Sequence, residues 1–127
     1  MSTSRTESSR PRRHELRLPR AERLRGRSTI ATVFRDSRRV GGGGLALLYK
    51  PNGLEVNRLL VSARRGFGGS VERNRERRRV KEIYRLLKPR LRRGYDIAAV
   101  VAPPPRSTLD RSVQFENLLR KAGLLLS

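Results

Sequence analysis

Arg64-Arg65-Gly66-Phe67-Gly68-Gly69-Ser70-Val71-Glu72-Arg73-Asn74-Arg75-Glu76-Arg77-Arg78-Arg79-Val80-Lys81-Glu82-Ile83-Tyr84-Arg85 is the stretch around which the chain is organised. Its glycines free the backbone for a tight turn and for close approach to a partner. Ser70 stands where a helix N-cap would stand, and no helix breaker follows before Pro89, so the spacing predicts a helix over 71–88. Val80, Ile83, Tyr84 and Leu87 recur at helical spacing and form an apolar stripe. Asn74, Arg78, Lys81, Arg85 and Lys88 form a basic stripe beside it. Arg73 and Arg77 fall near the apolar line, but ahead of its first large member. They are expected to project past the core edge or to bury their stems and extend their heads. A merely solvated charged helix is the bland alternative. Glu72, Glu76 and Glu82 are too few to neutralise the stripe, and a basic face beside a glycine turn flanked by Arg64 and Arg65 fits a phosphate backbone better.

The rest of the composition points the same way. The chain has 127 residues, a formal charge of +20 and a pI near 11.9. Such a charge repels itself and calls for a polyanion, with nucleic acid first and an anionic membrane surface second. No apolar run is long enough to cross a bilayer, and the basic N-terminus lacks the apolar segment of a secretory signal. There is no cysteine, which fits a cytoplasmic location. The lone histidine, His14, lies in a polar tail and reads as a surface residue.

Residues 1–20 hold serine, threonine, arginine and proline with almost nothing to bury, and are expected to be a disordered basic arm. Residues 21–127 are expected to form a single RNA-binding domain. Ser28 or Thr29 can cap a helix over 29–36, with Ile30, Val33 and Phe34 on one face. Gly41-Gly42-Gly43-Gly44 reads as a joint or as the lead-in to a strand at 45–50. No Gly-Lys-Ser/Thr follows, so it is no P-loop. After the turn signal Pro51-Asn52-Gly53 comes a strand at 58–63, expected to pair antiparallel with the first. Pro89 and Gly94 end the basic helix. The nearly all-apolar segment 95–102 reads as a buried strand, stopped by Pro103-Pro104-Pro105. Residues 107–126 read as a final helix, weakened at Gly123. The expected fold class is α+β: a small α/β sandwich with a mixed central sheet of about four strands and helices packed on it.

No catalytic set shows itself. There is no second histidine, and Asp36, Glu55, Asp96, Asp110 and Glu116 are scattered rather than gathered around paired ions. Glu72 and Glu76, one turn apart, are expected to pair with neighbouring arginines in preference to a hydrated Mg²⁺. The residues therefore describe an RNA-binding protein without catalytic machinery of its own.

The stretch from Arg64 to Arg85 resembles the arginine-rich "RNR" signature of the bacterial ribonuclease P protein subunit. The resemblance extends to Arg23-Leu24-Arg25 with Ile30 and Val33-Phe34, to Leu45-Ala46-Leu47-Leu48-Tyr49, to Leu59-Leu60-Val61-Ser62-Ala63 and to the segment from Tyr95. It implies a left-handed βαβ crossover, against the usual right-handed rule. It implies a partner, the catalytic ribonuclease P RNA, which with Mg²⁺ held mainly by the RNA removes the 5′ leader of precursor tRNA. One protein is expected to join one RNA, away from membranes. Arg73, Asn74, Arg75, Arg77, Arg78 and Lys81 would bind that RNA. Ile30, Phe34, Tyr49, Ala63, Arg64 and Arg65 would form a leader-binding cleft between the sheet and the first helix. Ile30 stands where the family commonly has an aromatic residue, and Gly69 where it often has Asn or Lys. A ribosomal or general RNA-binding protein is the competing class; it would need the basic helix but not the cleft. A DNA-binding protein comes third, since a helix flanked by strands is poorly placed for a major groove.

Overall fold

The computed structural model describes residues 18–42, 44–64, 68–102 and 110–126. Expectations for the N-terminal arm, His14, Gly43, Arg65, Gly66, Phe67, the three prolines at 103–105 and the first turn of the last helix fall outside the described residues.

The elements run α1 (Arg27–Arg35), β1 (Arg38–Gly42), β2 (Leu45–Pro51), β3 (Arg58–Ala63), α2 (Ser70–Leu87), β4 (Tyr95–Val101) and α3 (Arg111–Ala122), with short 3-10 turns at Arg20–Glu22 and Lys88–Arg90. The four strands form one mixed sheet in the order β1-β2-β4-β3. β1 pairs antiparallel with β2, β2 antiparallel with β4, and β3 parallel with β4.

This order corrects the expectation that the 45–50 and 58–63 strands are neighbours. β4 lies between them, and burial explains why. Ile97, Ala98 and Ala99 are all essentially inaccessible, so β4 is apolar on both faces and belongs in the centre of the sheet. The glycine run is also more ordered than a joint. Gly41 and Gly42 are paired in β1, opposite Ala46 and Leu45, and Gly44 at φ 88° makes the tight turn into β2. A side chain at Gly41 would crowd the Ala46 Cβ, at 3.3 Å.

Both faces of the sheet are covered. Leu47, Leu59, Val61, Ile97, Ala99 and Val101 pack beneath α2 and α3, where Tyr84 and Phe115 bring their rings to 6.5 Å. On the other face Val33, Leu24 and Ala98 make a smaller core, with Ile30, Leu48 and Leu60 against it. Leu18 is 5% exposed and belongs to the larger core, so the fold reaches back past the boundary expected at residue 21.

Helix ends differ from expectation in instructive ways. α1 begins at Arg27, after Gly26 at φ 95°, rather than at Thr29. The N-cap of α2 is Gly69, not Ser70, and no side chain caps it. α3 stops at Gly123, whose φ of 78° closes the helix: its N–H donates to Arg120 O, and Leu124 N–H reaches back to Leu119 O at 2.9 Å. Leu124 and Leu125 then turn into the core, Leu125 bridging to Leu91.

Buried polar groups lock the layers together. Arg58 donates to both carboxylate oxygens of Asp96, at 2.7 and 2.8 Å, and Asn52 donates to the same carboxylate. That fork holds the Arg58 guanidinium charged, its pKa raised chiefly by the hydrogen bond. Glu76 is 8% exposed and accepts from Arg111 Nε at 2.8 Å. Its partner is thus on α3 and not, as expected, on its own helix. The side chain points down into the α2–α3 seam, where helix neighbours cannot follow it.

Candidate RNA-binding site

A groove of about 410 Å³ opens along the outer edge of β3. α1 supplies Ile30 and Phe34 to one wall, and α2 supplies Arg73 and Arg77 to the other. The end of β3, from Leu60 to Ala63, lies between them. The helical stripe of α1 splits by position: Val33 is buried on the sheet, Ile30 is half-buried, and Phe34, 46% exposed, presents its ring to solvent. An exposed phenyl beside arginines suits a stacked base with its phosphate alongside.

Arg73, Arg77 and Lys81 follow at i, i+4 and i+8, so they share the flank of α2 that faces the β3 edge. Arg73 Nη1 donates to Gly68 O at 2.8 Å, which ties the glycine turn to the first turn of the helix. Arg77 and Lys81 extend into an adjoining depression of about 290 Å³ that also takes in Arg23, Arg25 and Leu60. Leu24 N–H donates to Leu59 O, which closes the first part of the β3 edge and directs the groove past α1.

The residues expected to bind the RNA subunit therefore divide. Arg73, Arg77 and Lys81 turn toward the groove, whereas Asn74, Arg75 and Arg78 are exposed on the outside of α2. Arg79, between them, pairs with Asp110 at 3.2 Å.

Among the residues expected in the leader cleft, Ile30, Phe34 and Ala63 come together in the groove. Arg64 is exposed at the end of β3, its N–H bonded to Val101 O at 2.8 Å, and Arg65 lies outside the described residues. Tyr49 is not brought to the cleft. It alternates with Leu45 and Leu47 on the α2–α3 face, packed against the larger core with Tyr95 at 6.5 Å. The expectation is corrected by strand parity: the cleft lies on the face of β2 that carries Leu48, one residue away.

Leu60 and Ser62 on the groove floor, and Arg23 and Arg25 on its approach, were not singled out as binding residues from the sequence. Alternation along 58–63 carried the signal for the first two. The Arg-Leu-Arg spacing, with buried Leu24 between two exposed arginines, carried it for the others. Among the described residues no group of three or more His, Asp or Glu side chains is placed to hold a metal ion. No helix among them is long and apolar enough to cross a membrane.

The family model described as Ribonuclease P matches residues 18–124. The chain belongs to the ribonuclease P protein family. The ribonuclease P protein component of Caldanaerobacter subterraneus subsp. tengcongensis is 36% identical over 106 residues, covering 80% of this chain and 90% of the relative. That of Roseiflexus castenholzii is 33% identical over 111 residues, covering 85% and 91%. Among solved structures, the ribonuclease P protein from Thermotoga maritima superposes with a TM-score of 0.68 at 28% identity, covering 79% of this chain and 96% of that one. The Staphylococcus aureus protein gives a TM-score of 0.74 over 84% of this chain and 99% of that one; at 20% identity it attests the fold alone. The α+β arrangement of the described residues, a mixed four-stranded sheet with three helices, is thus that of ribonuclease P proteins.

Proposed function

We propose that this chain, as a protein component of the tRNA 5′-processing endoribonuclease, holds the single-stranded leader of precursor tRNA in the α1–α2 groove while the outside of α2 engages the catalytic RNA. The observation that carries this is the convergence of Phe34 and Ile30 with Arg73 and Arg77 across the β3 edge. Unstacked bases find an apolar and aromatic surface there, and their phosphates find guanidinium forks. A basic helix alone would bind RNA in general; the groove adds a place for a single strand, which separates this role from that of a general or ribosomal RNA-binding protein.

Asn74, Arg75 and Arg78 are the contacts to the catalytic RNA, and Arg73, Arg77 and Lys81 sit where both RNAs meet. Tyr49 drops out of the leader site. Arg64, exposed at the end of β3, continues it, and Arg65 is a further leader contact on its sequence position alone. Mg²⁺ is held mainly by RNA: of the two carboxylates on the first turns of α2, Glu76 is engaged by Arg111, which leaves Glu72 without a second acid beside it. One protein with one RNA in the cytoplasm is the assembly this implies, with the protein tightening substrate binding and screening charge.

Reconstitution tests this. Mixed with a bacterial ribonuclease P RNA at low Mg²⁺, the protein is expected to stimulate cleavage of precursor tRNA at the mature 5′ end, with no cleavage when the RNA is omitted. Tight RNA binding without stimulation would return the protein to the general RNA-binding class.

A further inference from the structure

The largest recess among those described lies at the opposite end of α2 from the groove, about 18 Å along the helix axis from Arg73 to Arg85. Its volume is about 570 Å³, within the ~300–1,000 Å³ range of small-ligand sites. Two donors there lack a hydrogen-bond partner: the Tyr84 hydroxyl and Arg85 Nε. Tyr84 is 0% exposed, its ring fixed in the core beside Phe115, so its hydroxyl reaches the recess as a buried, unused donor. Asn57 stands beside it: its Nδ2 donates to Arg92 O and also favours the Tyr84 oxygen as a donor, and its Oδ1 accepts from Tyr95 N–H, so it is the Tyr84 O–H proton that lacks an acceptor. A buried polar group without a partner is costly, and one that faces a cavity is satisfied by whatever fills the cavity.

The charged groups facing the recess are mixed. Lys88 Nζ is 2.6 Å from Glu22 Oε1, so that pair is mutually neutralised, while Glu55, Arg85 and Arg93 line the same recess. Val56, Leu91 and Leu126 supply apolar wall. A bare phosphate would meet two carboxylates here. A nucleobase carries donors for carboxylates, acceptors for the tyrosine hydroxyl and the guanidinium, and flat apolar faces for the walls. Arg93, exposed at the rim, is placed for its phosphate. The basic stripe of α2, from Arg78 to Arg85, leads to the opening, so an RNA strand laid along it is delivered to the recess.

We infer that this recess takes one unstacked nucleotide of the RNA partner, base inward against Tyr84 and Arg85 and phosphate outward at Arg93, as a binding site separate from the α1–α2 groove. The identity of the occupant rests on the RNA-binding role proposed above.

The test is an amide NMR titration of the full-length protein with nucleoside 5′-monophosphates, and separately with inorganic phosphate, on the natural protein and on Tyr84→Phe. Phe keeps the buried ring and removes only the unused hydroxyl. The expected result is saturable shifts at Asn57, Lys88 and Arg93 with nucleotides but not with phosphate. Tyr84→Phe should weaken them by roughly three- to tenfold, the worth of one hydrogen bond, and leave shifts at Ile30, Phe34 and Arg77 unchanged. Shifts confined to the groove would overturn the second site and leave the RNA-binding role standing. An equal response to phosphate alone, or unchanged affinity in Tyr84→Phe, would also overturn it. Silence at both places would count against both proposals.

Discussion

Arg111 Nε meets Glu76 Oε2 at 2.8 Å in the seam between α2 and α3, with both side chains almost fully buried. The same guanidinium donates through Nη1 to Gln114 at 2.9 Å. An acid in the middle of the most basic helix thereby becomes a strut that sets the rotation of α2 and hence the direction of its arginines. Removing one partner strands a buried charge, which costs about 3–5 kcal/mol. Glu76→Ala and Arg111→Ala are each expected to lower the urea midpoint accordingly, while Glu76→Leu combined with Arg111→Met should recover most of the loss. A loss of less than about 0.5 kcal/mol in the single variants, as for an exposed pair, would show that the strut contributes nothing.

Phe34 and Tyr49 are both aromatic, but only Phe34 opens onto the groove. Phe34→Ala should weaken precursor tRNA bound to the reconstituted enzyme by about 1–3 kcal/mol, the cost of removing one base stack, and leave mature tRNA unchanged. Tyr49→Ala should instead lower the melting temperature with little discrimination between the two RNAs. Binding assays on both substrates, with a thermal melt of each variant, check this; a leader-specific loss at Tyr49 would contradict the strand parity.

The two sides of α2 should separate in their salt dependence. Arg75→Ala and Arg78→Ala are expected to weaken assembly with the catalytic RNA, the log–log salt slope falling by about 0.7–0.9 for each phosphate that is no longer neutralised. Arg73→Ala and Arg77→Ala should in addition reduce the preference for precursor over mature tRNA, because they wall the groove. If all four variants lose assembly and leader preference in the same proportion, the helix does not divide its roles.

Burial first, and then the Glu22 charge, push the Tyr84 hydroxyl up to about 12 from its ordinary value of 10.0. The raised folded value means that the stabilisation is whole below pH 10, where both folded and unfolded states keep the proton. It is lost as pH rises from 10 to about 12, because the unfolded chain ionises first. The full effect is about 3 kcal/mol. Urea melts between pH 9 and 12 should show a stability decline that is shallower in Tyr84→Phe by about that amount; parallel curves for the two proteins would remove Tyr84 as its source.

The basic helix, the apolar character of β4 and the class of partner were legible in the sequence because each depends on local periodicity or on net charge. Val80, Tyr84 and Leu87 are buried as their spacing requires, and a charge of +20 identifies a polyanion without any fold. Strand order was not legible. Pairing β2 with β4 in place of β3 is a choice between residues some 50 positions apart, made by burying β4 on both faces. Nor was the side of the sheet on which Tyr49 falls, because alternation assigns residues to two faces without saying which one a helix will cover. Glu76 shows the same limit: its neighbours in sequence are arginines, yet its partner arrives from α3. The helices, their stripes and the need for a polyanion were thus written in the chain itself, since they follow from the spacing of neighbouring residues and from net charge. That Phe34, Ala63, Arg73 and Arg77 meet across one strand edge was a matter for the folded layers, because the meeting depends on how they pack and not on any local preference.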